Sequence, residues 1–320
     1  MKDAVSQRPR MWAVILAAGR GTRMTEVTHV LCGRPLPKQF APLVSDRTML
    51  QETMARIAPV IPPERTVIVV AEGHEALART QLADTPGVEV VSQPRDLGTG
   101  PGVLLPLTRV SARDPDATVA VFPSDHHFER PEPFRAALRA GAIAAEEAPA
   151  GVALLGARAE HPASDLGWIV PSGRGPAGVS LVGKFVEKPP EKTARSLMEA
   201  GGLWNTMVMV GAASAFWRLG RAHMPLQTQA FRHYLERGAR SHEARAHLEL
   251  LYRTIAPAHF SRGVLERAAG LAVVPIVNSG WFDCGTPESF VEWLHKTSDR
   301  FGVLPRLSGN AGSPWPARAA

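Results

Sequence analysis

The sequence predicts a single α/β domain with a mainly parallel mixed sheet and helices on both of its faces. Short apolar runs, almost unbroken by polar residues, alternate with stretches of helical periodicity. This alternation is typical of parallel strands that crossover helices cover on both sides. With 320 residues, of which 45% are hydrophobic and 21% charged, the chain is long and apolar enough to bury a sizeable core.

Apolar and β-branched runs mark the strands, and the stretches between them mark the helices. We predict strands at residues 12–17, 66–71, 88–92, 118–122, 152–156, 181–186, 207–211 and 272–277. We predict helices at residues 49–58, 75–82, 103–111 and 133–145. The second half is less regular, and a helix-rich insert at 226–254 precedes the last strand.

The two ends of the chain differ in composition from the rest. Residues 1–10 are charged and polar, and residues 307–320 contain Gly, Ser and two prolines. We therefore expect a flexible N-terminal tail at 1–10, one domain at 11–306 and a flexible C-terminal tail at 307–320. No apolar run approaches the roughly 20 residues of a membrane span. The apolar run at 12–18 is too short for a signal peptide, so we expect a cytoplasmic protein with no membrane partner.

The charge of the chain favours an anionic partner. The net charge is +6 and the pI is about 9.8, so charge alone allows either nucleic acid or small anionic substrates. Only six of the 36 basic residues are lysines, and the basic residues are scattered rather than clustered. We therefore expect small anions and no nucleic acid. The two cysteines, Cys32 and Cys284, suit neither a disulfide scaffold nor a zinc site.

A glycine-rich loop directly follows the first predicted strand, in the run Val-Ile-Leu-Ala-Ala-Gly-Arg-Gly-Thr-Arg at 14–23. Small residues let backbone N–H groups approach an anion closely, and Arg23 adds a forked donor for phosphate oxygens. A dinucleotide-binding loop would need a third glycine where Met24 stands, and a Walker loop would need Gly-Lys-Ser/Thr. A tight turn explains the glycines equally well. The second cation, in Pro-Lys-Gln-Phe at 37–40, favours a phosphate site.

A second glycine-containing segment, Gln-Pro-Arg-Asp-Leu-Gly-Thr-Gly-Pro at 93–101, lies between a predicted strand and a helix. A tight backbone of this kind offers N–H and C=O groups to the edge of a purine. An ordinary glycine-containing start of a helix explains the same spacing. The residues alone leave both interpretations open.

Two aspartates follow apolar strands. Asp125 ends the run at 119–125, and Asp283 lies in Trp-Phe-Asp-Cys-Gly at 281–285. Ligands bind at the carboxyl ends of strands in open α/β sheets, and two carboxylates with triphosphate oxygens suit Mg²⁺. Taken singly, either aspartate is more often a helix cap or a turn former. The adjacent His126 and His127 point to opposite sides of an extended chain, so we assign neither to the metal.

The run Leu-Ala-Ala-Gly-Arg-Gly-Thr-Arg at 16–23, followed by Pro-Lys-Gln-Phe at 37–40, resembles the signature of the sugar-1-phosphate nucleotidyltransferases. The Pro-Lys-Gln-Phe form and the segment Thr-Met-Leu-Gln-Glu-Thr at 48–53 are similar to the bacterial mannose-1-phosphate guanylyltransferase branch. The resemblance spans residues 12–294, almost the whole chain. It implies a Rossmann-like fold of the GT-A type.

The resemblance also implies roles for individual residues. Arg23 and Lys38 would neutralise phosphate charge, and Asp125 would act in catalysis and hold Mg²⁺ together with Asp283. The implied nucleotide-binding residues are Leu16, Ala17, Ala18, Gly19, Gly21, Thr22, Gln93, Gly98 and Thr99. Segments 166–169, 185–189 and 204–205 are similar in order and spacing to the family's sugar-binding elements, although a solvated charge pair explains Glu187 and Lys188 equally well. The implied sugar-phosphate-binding residues are Gly167, Glu187, Lys188 and Asn205.

The reaction that the resemblance implies joins GTP to mannose 1-phosphate, forms GDP-mannose and releases pyrophosphate, with Mg²⁺ as the cofactor. Two departures from the guanylyltransferase pattern keep other substrates open. Met-Thr-Glu at 24–26 replaces Leu-Trp-Pro, and Leu-Gly-Thr-Gly-Pro at 97–101 replaces Arg-Asn-Thr-Ala-Pro. The alternatives are UTP, ATP or dTTP with glucose 1-phosphate, or a non-catalytic nucleotide-binding regulator. We expect Cys284 to be a small buried residue rather than a nucleophile, and the sequence leaves the oligomeric state open, a homodimer included.

Overall fold

A nine-stranded mixed sheet and a separate two-stranded sheet organise the structure. The computed structural model describes residues 11–174, 180–239, 241, 243–300 and 302–308. The two-stranded sheet pairs β5 (His126–Phe128) with β11 (Trp281–Asp283). The strands of the large sheet are β1 (Met11–Ala17), β2 (Thr66–Ala71), β3 (Glu89–Gln93), β4 (Thr118–Pro123), β6 (Val152–Arg158), β7 (Gly167–Arg174), β8 (Ser180–Glu187), β9 (Leu203–Ala212) and β10 (Ala272–Ile276).

Helices connect most of these strands. They are α1 (Thr25–Cys32), α2 (Met49–Ile57), α3 (Glu75–Gln81), α4 (Thr99–Arg113), α5 (Pro131–Glu147), α6 (Glu191–Glu199), α7 (Ala213–His223), α8 (Pro225–Glu236), α9 (Ala244–Thr254), α10 (Pro287–Lys296) and α11 (Val303–Ser308). Short 3₁₀ turns at Thr22–Met24 and Lys38–Phe40 and a π-helical turn at Ser261–Leu265 lie near the site described below. In the part of the chain that the structure describes, no helix combines the length and the apolar character that crossing a membrane requires.

The order of strands across the large sheet is β3-β2-β1-β4-β9-β6-β10-β8-β7. Strands β8 and β9 run against the other seven, so the sheet is mixed and mainly parallel. The chain adds β2 and β3 on one side of β1 and then crosses to add β4 on the other side. This reversal makes the carboxyl ends of β1 and β4 a topological switch point, where open α/β sheets bind ligands.

Alternate residues of β1 enter two different cores. Trp12 and Val14 pack on one face with residues of α4, α7, α8 and α9, whereas Ala13 and Ile15 pack on the other face with residues of α2 and α5. Side chains alternate between the two faces of a strand, so a continuous apolar strand requires cover on both faces. A third cluster forms where α1, α10 and α11 pack around the buried Cys284.

Several helices begin where local chemistry predicts a start. Thr48 accepts a hydrogen bond from the N–H of Gln51 at the start of α2, and the Gln51 side chain accepts one from the N–H of Thr48. Thr286 and Ser289 form the same reciprocal pair before α10, where Pro287 takes the first helical position. These caps satisfy N–H groups that the first turn of a helix leaves without a partner.

The structure confirms the predicted fold class. All eight predicted strands and all four predicted helices are present, and α8 and α9 make up the predicted insert. Strand β9 begins at Leu203 rather than at residue 207, and the prediction omitted β5, β7 and β11. The two omitted strands of the small sheet are only three residues long, which is too short for an alternating pattern to be visible.

The C-terminal boundary differs by two residues from the predicted one. Helix α11 runs to Ser308, and Leu307 is fully buried against the cluster around Cys284. The apolar Leu307 therefore belongs to the folded domain rather than to a tail. The predicted tail at 1–10 and the rest of the predicted C-terminal tail, at 309–320, lie outside the described residues.

The centre of the sheet gives a test of this packing. Gly211 of β9 lies opposite Val119 of β4 and Val152 of β6, and an added Cβ would overlap the carbonyl oxygen of Gly151. We expect Gly211→Ala to lower the free energy of unfolding by about 1–3 kcal/mol, the usual cost of overpacking a core. Thermal unfolding of both proteins measures this difference.

The matched control is Gly102→Ala in α4, because an added Cβ at Gly102 meets no atom within 4 Å. We expect this variant to be as stable as the wild type or more stable, since alanine favours a helix over glycine by about 1 kcal/mol. Equal melting temperatures for the two variants would contradict the packing described for Gly211.

Candidate active site

A cleft of about 380 Å³ opens at the carboxyl ends of β1 and β4. The residues predicted to neutralise phosphate or to hold Mg²⁺, Arg23, Lys38, Asp125 and Asp283, all line it. Most of the predicted nucleotide-binding residues line it too, namely Leu16, Ala18, Gly19, Gly21, Gln93, Gly98 and Thr99. The cleft therefore lies at the switch point of the sheet and unites motifs that are far apart in the sequence.

The glycine loop is shaped by the segment at 37–40. Gly21 has a φ of 61°, and a Cβ there would lie 2.9 Å from the backbone nitrogen of Lys38, so only glycine fits. Gln39 is 2% exposed, and its Nε2 donates to the carbonyl oxygens of Ala17 and Gly19 at 2.9 and 2.8 Å. The buried Gln39 amide thus fixes the backbone of the glycine loop through two hydrogen bonds. Arg23, by contrast, is exposed and lines the cleft.

Two of the predicted nucleotide-binding residues do not line the cleft. Ala17 is the last residue of β1, and its side chain packs in the core. Its backbone carbonyl oxygen accepts a hydrogen bond from the Gln39 side chain. Thr22 begins the 3₁₀ turn at Thr22–Met24 and is exposed outside the lining of the cleft. Alternation along the strand and the turn of the loop direct these two side chains away.

Lys38 joins the two predicted metal aspartates. Its Nζ lies 2.8 Å from Oδ2 of Asp125 and 3.6 Å from Oδ1 of Asp283, and it donates to the carbonyl oxygen of Cys284 at 2.9 Å. Burial alone would lower the pKa of Lys38, but the two carboxylates raise it above its ordinary value. Burial would likewise raise the pKa of Asp125, but Lys38 holds it below its ordinary value. Lys38 and Asp125 are therefore both charged at neutral pH.

The small sheet brings Asp283 to this position. β5 and β11 pair so that Asp283 lies opposite His126, the residue that follows Asp125. The Nε1 of Trp281 donates to Nδ1 of His126 at 3.2 Å, so the neutral imidazole carries its proton on Nε2, which lies 3.6 Å from Oδ1 of Asp283. Burial lowers the pKa of His126, with both aspartates opposing the shift.

The two adjacent histidines do point to opposite sides of β5. His126 lines the cleft, whereas His127 faces a different cavity and packs edge-on against Trp293, at 5.2 Å between ring centroids. Burial, with a smaller contribution from the guanidinium of Arg56, lowers the pKa of His127 to about 4. His127 therefore belongs to the packing behind the site rather than to the site.

The carboxylates of Asp125 and Asp283 are suited to a magnesium ion. Their oxygens converge on one positive charge, the ammonium of Lys38, so the site already accommodates a cation between them. Among the described residues there is no group of three His, Cys, Asp or Glu side chains placed to hold a metal. Two carboxylates with remaining positions for water and phosphate oxygens are what Mg²⁺ uses at phosphate sites.

The segment at 93–101 forms one side wall of the cleft. Gly98 has a φ of 85°, and an added Cβ would lie 2.6 Å from the carbonyl oxygen of Ala258. The N–H of Gly98 donates to Oδ1 of Asp96 at 3.0 Å. Gln93 is 3% exposed, and its Oε1 accepts from the Tyr252 hydroxyl at 3.4 Å. Glycine is thus required at position 98 because the backbone of Ala258 approaches closely. The hydrogen bond between Gln93 and Tyr252 fixes the other end of this wall.

A second cavity of about 370 Å³ continues from the first. The predicted sugar-phosphate residues Gly167, Glu187, Lys188 and Asn205 line it. Five residues line both cavities, so we refer to them as the nucleotide half and the sugar half of one cleft. The shared residues are Thr99, His126, Met207, His259 and Asp283.

The sugar half combines close packing with buried polar groups. A Cβ on Gly167 would lie 2.8 Å from Oε2 of Glu187, so the glycine lets β7 approach this carboxylate. Burial raises the pKa of Glu187, and the positive charges of Lys188 and Arg262 oppose the shift. Oδ1 of Asn205 accepts from the N–H of Met207, which has a φ of 57°. The structure thus places an acid, a cation and an amide around one cavity.

Several residues that line the cleft were not among the predicted site residues. Ser124 and His126 are neighbours of Asp125 in the sequence, and this position could have indicated them. Met207 follows Asn205 by two residues, and no sequence pattern indicates it. A further group comes from one stretch of chain at the π-helical turn, namely His259, Ser261 and Arg262. Only the packing of that stretch against 97–100 brings it to the cleft.

Fold and cleft together define an α/β protein of the nucleotidyltransferase class. The chain belongs to the nucleotidyl transferase family, whose sequence profile matches residues 12–300. Membership confirms the resemblance seen at 16–23 and 37–40.

The chain is similar to bacterial proteins named for xanthan biosynthesis and for mannose-1-phosphate guanylyl transfer. The xanthan biosynthesis protein XanB of Xanthomonas campestris pv. campestris (strain B100) is 29% identical over 283 residues, which are 87% of this chain and 58% of XanB. The mannose-1-phosphate guanylyltransferase of Escherichia coli (strain K12) is 26% identical over 303 residues, covering 91% of this chain and 61% of the relative. The chain therefore spans less than two thirds of the length of these relatives.

A solved structure shares the fold. The crystal structure described as mannose-1-phosphate geranyltransferase from Thermus thermophilus is 30% identical, with a TM-score of 0.74. The match covers 86% of this chain and 76% of that one.

The buried His127 makes stability depend on pH. Its pKa is about 4 in the folded protein and about 6.5 in an unfolded chain, so the unfolded state binds the proton more readily. The contribution of the neutral His127 to the free energy of unfolding is therefore fully present above pH 6.5 and is lost as the pH falls toward 4. We expect a loss of about 2 kcal/mol between pH 7.5 and pH 5 that is absent in His127→Leu.

Urea unfolding at the two pH values measures this difference. His233→Leu is the control, because His233 is an exposed residue of α8. The interpretation would be wrong if His127→Leu kept the full pH dependence of the wild type.

Proposed function

We propose that the protein transfers a nucleotidyl group from a nucleoside triphosphate to a sugar 1-phosphate and releases pyrophosphate. The observation that carries this proposal is the single cleft with Arg23, Lys38 and two aspartates in one half and Glu187 and Lys188 in the other. GTP and mannose 1-phosphate are the substrates that we infer, because similar proteins include a mannose-1-phosphate guanylyltransferase. Mg²⁺ is the cofactor of the proposal, and the cytoplasm, which supplies nucleoside triphosphates, is its compartment.

The reaction needs no general base in the cleft. A phosphate monoester has a second pKa near 6, so the sugar 1-phosphate is already a dianion at neutral pH. One of its oxygens forms a bond to the α-phosphorus of the triphosphate, and the bond from that phosphorus to the bridging oxygen of the β-phosphate breaks. Pyrophosphate leaves with the electron pair, and no proton has to move. The neutral His126 and the protonated thiol of Cys284, whose pKa burial raises, are consistent with this.

The difficulty of the reaction is repulsion between two anions, and the cleft answers it with positive charge. Arg23 and Lys38 face the triphosphate from the glycine loop and the segment after it, and Lys188 faces the incoming phosphate. Positioning and electrostatic stabilisation carry most of the acceleration in phosphoryl-type transfer. When bound, Mg²⁺ on Asp125 and Asp283 would neutralise charge on phosphate oxygens.

Lys38 has a second task in this proposal. Two carboxylates in a phosphate site repel the substrate, and the ammonium of Lys38 offsets part of their charge. The same ammonium donates to the carbonyl oxygen of Cys284, the residue after Asp283. Lys38 would therefore hold the two metal carboxylates in place.

The identity of the product tests the proposal directly. The protein is incubated with MgCl₂, an equimolar mixture of GTP, ATP, UTP and dTTP, and either mannose 1-phosphate or glucose 1-phosphate. We expect mass spectrometry to detect GDP-mannose as the main product. A product from UTP, ATP or dTTP with glucose 1-phosphate would overturn the choice of substrates. Nucleotide binding without any nucleotide-sugar would favour the non-catalytic regulator instead.

The role of Asp125 gives a second test. We expect Asp125→Asn to reduce pyrophosphate release by roughly 100-fold or more, because the site loses one of two metal carboxylates. The control is Asp116→Asn, an exposed aspartate just before the opposite end of β4. Thermal unfolding checks that both variants are folded. Near-normal turnover in folded Asp125→Asn would remove Asp125 from the metal site.

A further inference from the structure

One wall of the sugar half comes from a stretch of chain without any recognisable motif. We call residues 258–266 the wall segment. It follows α9 in the chain and runs beside residues 97–100 of the nucleotide half before it reaches the sugar half. The N–H of Gly100 donates to the carbonyl oxygen of Ala258 at 2.8 Å, and the N–H of Ala258 donates to that of Leu97 at 2.9 Å. The wall segment is therefore attached to the nucleotide half by its backbone.

Thr99 adds a third attachment. The N–H of Phe260 donates to Oγ1 of Thr99 at 2.8 Å, at the first residue of α4. Phe260 is itself fully buried against Phe216, with ring centroids 6.3 Å apart. The position of the chain immediately before the π-helical turn is thus fixed by a side-chain hydrogen bond and by the core.

The π-helical turn at Ser261–Leu265 then attaches the wall segment to the sugar half. Ser261 is 5% exposed, and its hydroxyl donates to Sδ of Met207 at 3.3 Å. The carboxylate of Glu266 accepts from the N–H of Glu187 at 2.7 Å. Single π-helical turns are rare and occur frequently at functional sites. Arg262 lies within this turn, so its backbone is held at both ends while its side chain lines the cavity.

The charges in the sugar half favour a second cation for a phosphate. Among the described residues three acids line this half, Asp165, Glu187 and the shared Asp283, against two cations, Lys188 and Arg262. A phosphate dianion that met Lys188 alone would face a larger excess of negative charge than one that both cations contact. In the part of the chain that the structure describes, no carboxylate lies within 4.0 Å of the Arg262 guanidinium, although its charge acts on Glu187, so the guanidinium is available to a ligand.

We infer that Arg262 binds the phosphate of the sugar 1-phosphate as a second cation beside Lys188, and that Thr99 positions it through the wall segment. This inference rests on the proposed function. A planar guanidinium can form two parallel hydrogen bonds with two oxygens of one phosphate, whereas an ammonium acts as a point charge. The two cations thus have different tasks, because Arg262 orients the phosphate and Lys188 contributes charge.

The test compares the kinetics of three arginine variants. We expect Arg262→Gln to raise the KM for mannose 1-phosphate by about 10- to 100-fold, the size expected from hydrogen bonds to a charged group. The KM for GTP should stay within about two-fold. We expect Arg262→Lys to recover only part of the loss, because lysine restores the charge and not the two parallel hydrogen bonds. Arg267→Gln is the matched control, since Arg267 is exposed one residue beyond the wall segment and lines neither half.

Direct binding separates the phosphate from the sugar. Calorimetric titrations with mannose 1-phosphate and with unphosphorylated mannose are made on the wild type and on Arg262→Gln. The expected loss of affinity is confined to the phosphorylated ligand. Thr99→Val, which cannot donate or accept at Phe260, should also weaken mannose 1-phosphate binding, while Thr99→Ser should restore it.

Three outcomes would overturn the inference: an unchanged KM for mannose 1-phosphate in Arg262→Gln, an equal rise in the KM for GTP, or an equal loss for mannose. These outcomes differ from failure of the proposed function. If the wild type binds mannose 1-phosphate but forms no nucleotide-sugar, the proposed reaction fails, and the titrations still decide the role of Arg262. If the wild type binds no sugar 1-phosphate at all, both fail together.

Discussion

The ammonium of Lys38 between two carboxylates is the interaction on which the rest of the site depends. It joins the segment after the glycine loop to the end of β4 and to β11, which are separated by up to 245 positions in the chain. Three charges gathered in this way are costly to bury unless they are paired. The ion pairs of Lys38 therefore allow two aspartates to lie where phosphates have to bind. The mixed sheet provides this place at its switch point.

Around this pairing, the cleft is divided by chemistry rather than by domains. The nucleotide half is built from backbone at glycines, with Gly21 and Gly98 at positions where no other residue fits. The sugar half is built from side chains of β8, β9 and the π-helical turn. A triphosphate presents many equivalent oxygens, which backbone N–H groups suit, whereas a sugar presents distinct hydroxyl groups, which require individually placed acceptors and donors.

The sequence predicted those parts of the structure that depend on local patterns. Buried strands such as β1 and β2 are continuous apolar runs, and Lys38, Asp125 and Asp283 each lie in a short recognisable motif. Local patterns did not predict His259 or Arg262, because the hydrogen bonds from 258–260 to residues 97–100 bring these side chains to the cleft. The local pattern also gave a wrong position for Ala17, whose side chain packs in the core and whose carbonyl oxygen accepts a hydrogen bond from Gln39. The roles of the cleft residues remain predictions.

The short pairing of β5 with β11 has a consequence for how this protein tolerates change. Its register is continued by hydrogen bonds from Glu129 to Gly280 and from Arg130 to Ser279, and an added Cβ at Gly280 would overlap the Glu129 side chain. Because faces alternate along a strand, a slip of one position would turn Asp283 toward α10. An insertion or deletion between Ser279 and Asp283 would shift this register, so this short segment has to keep its length for the acid pair to survive.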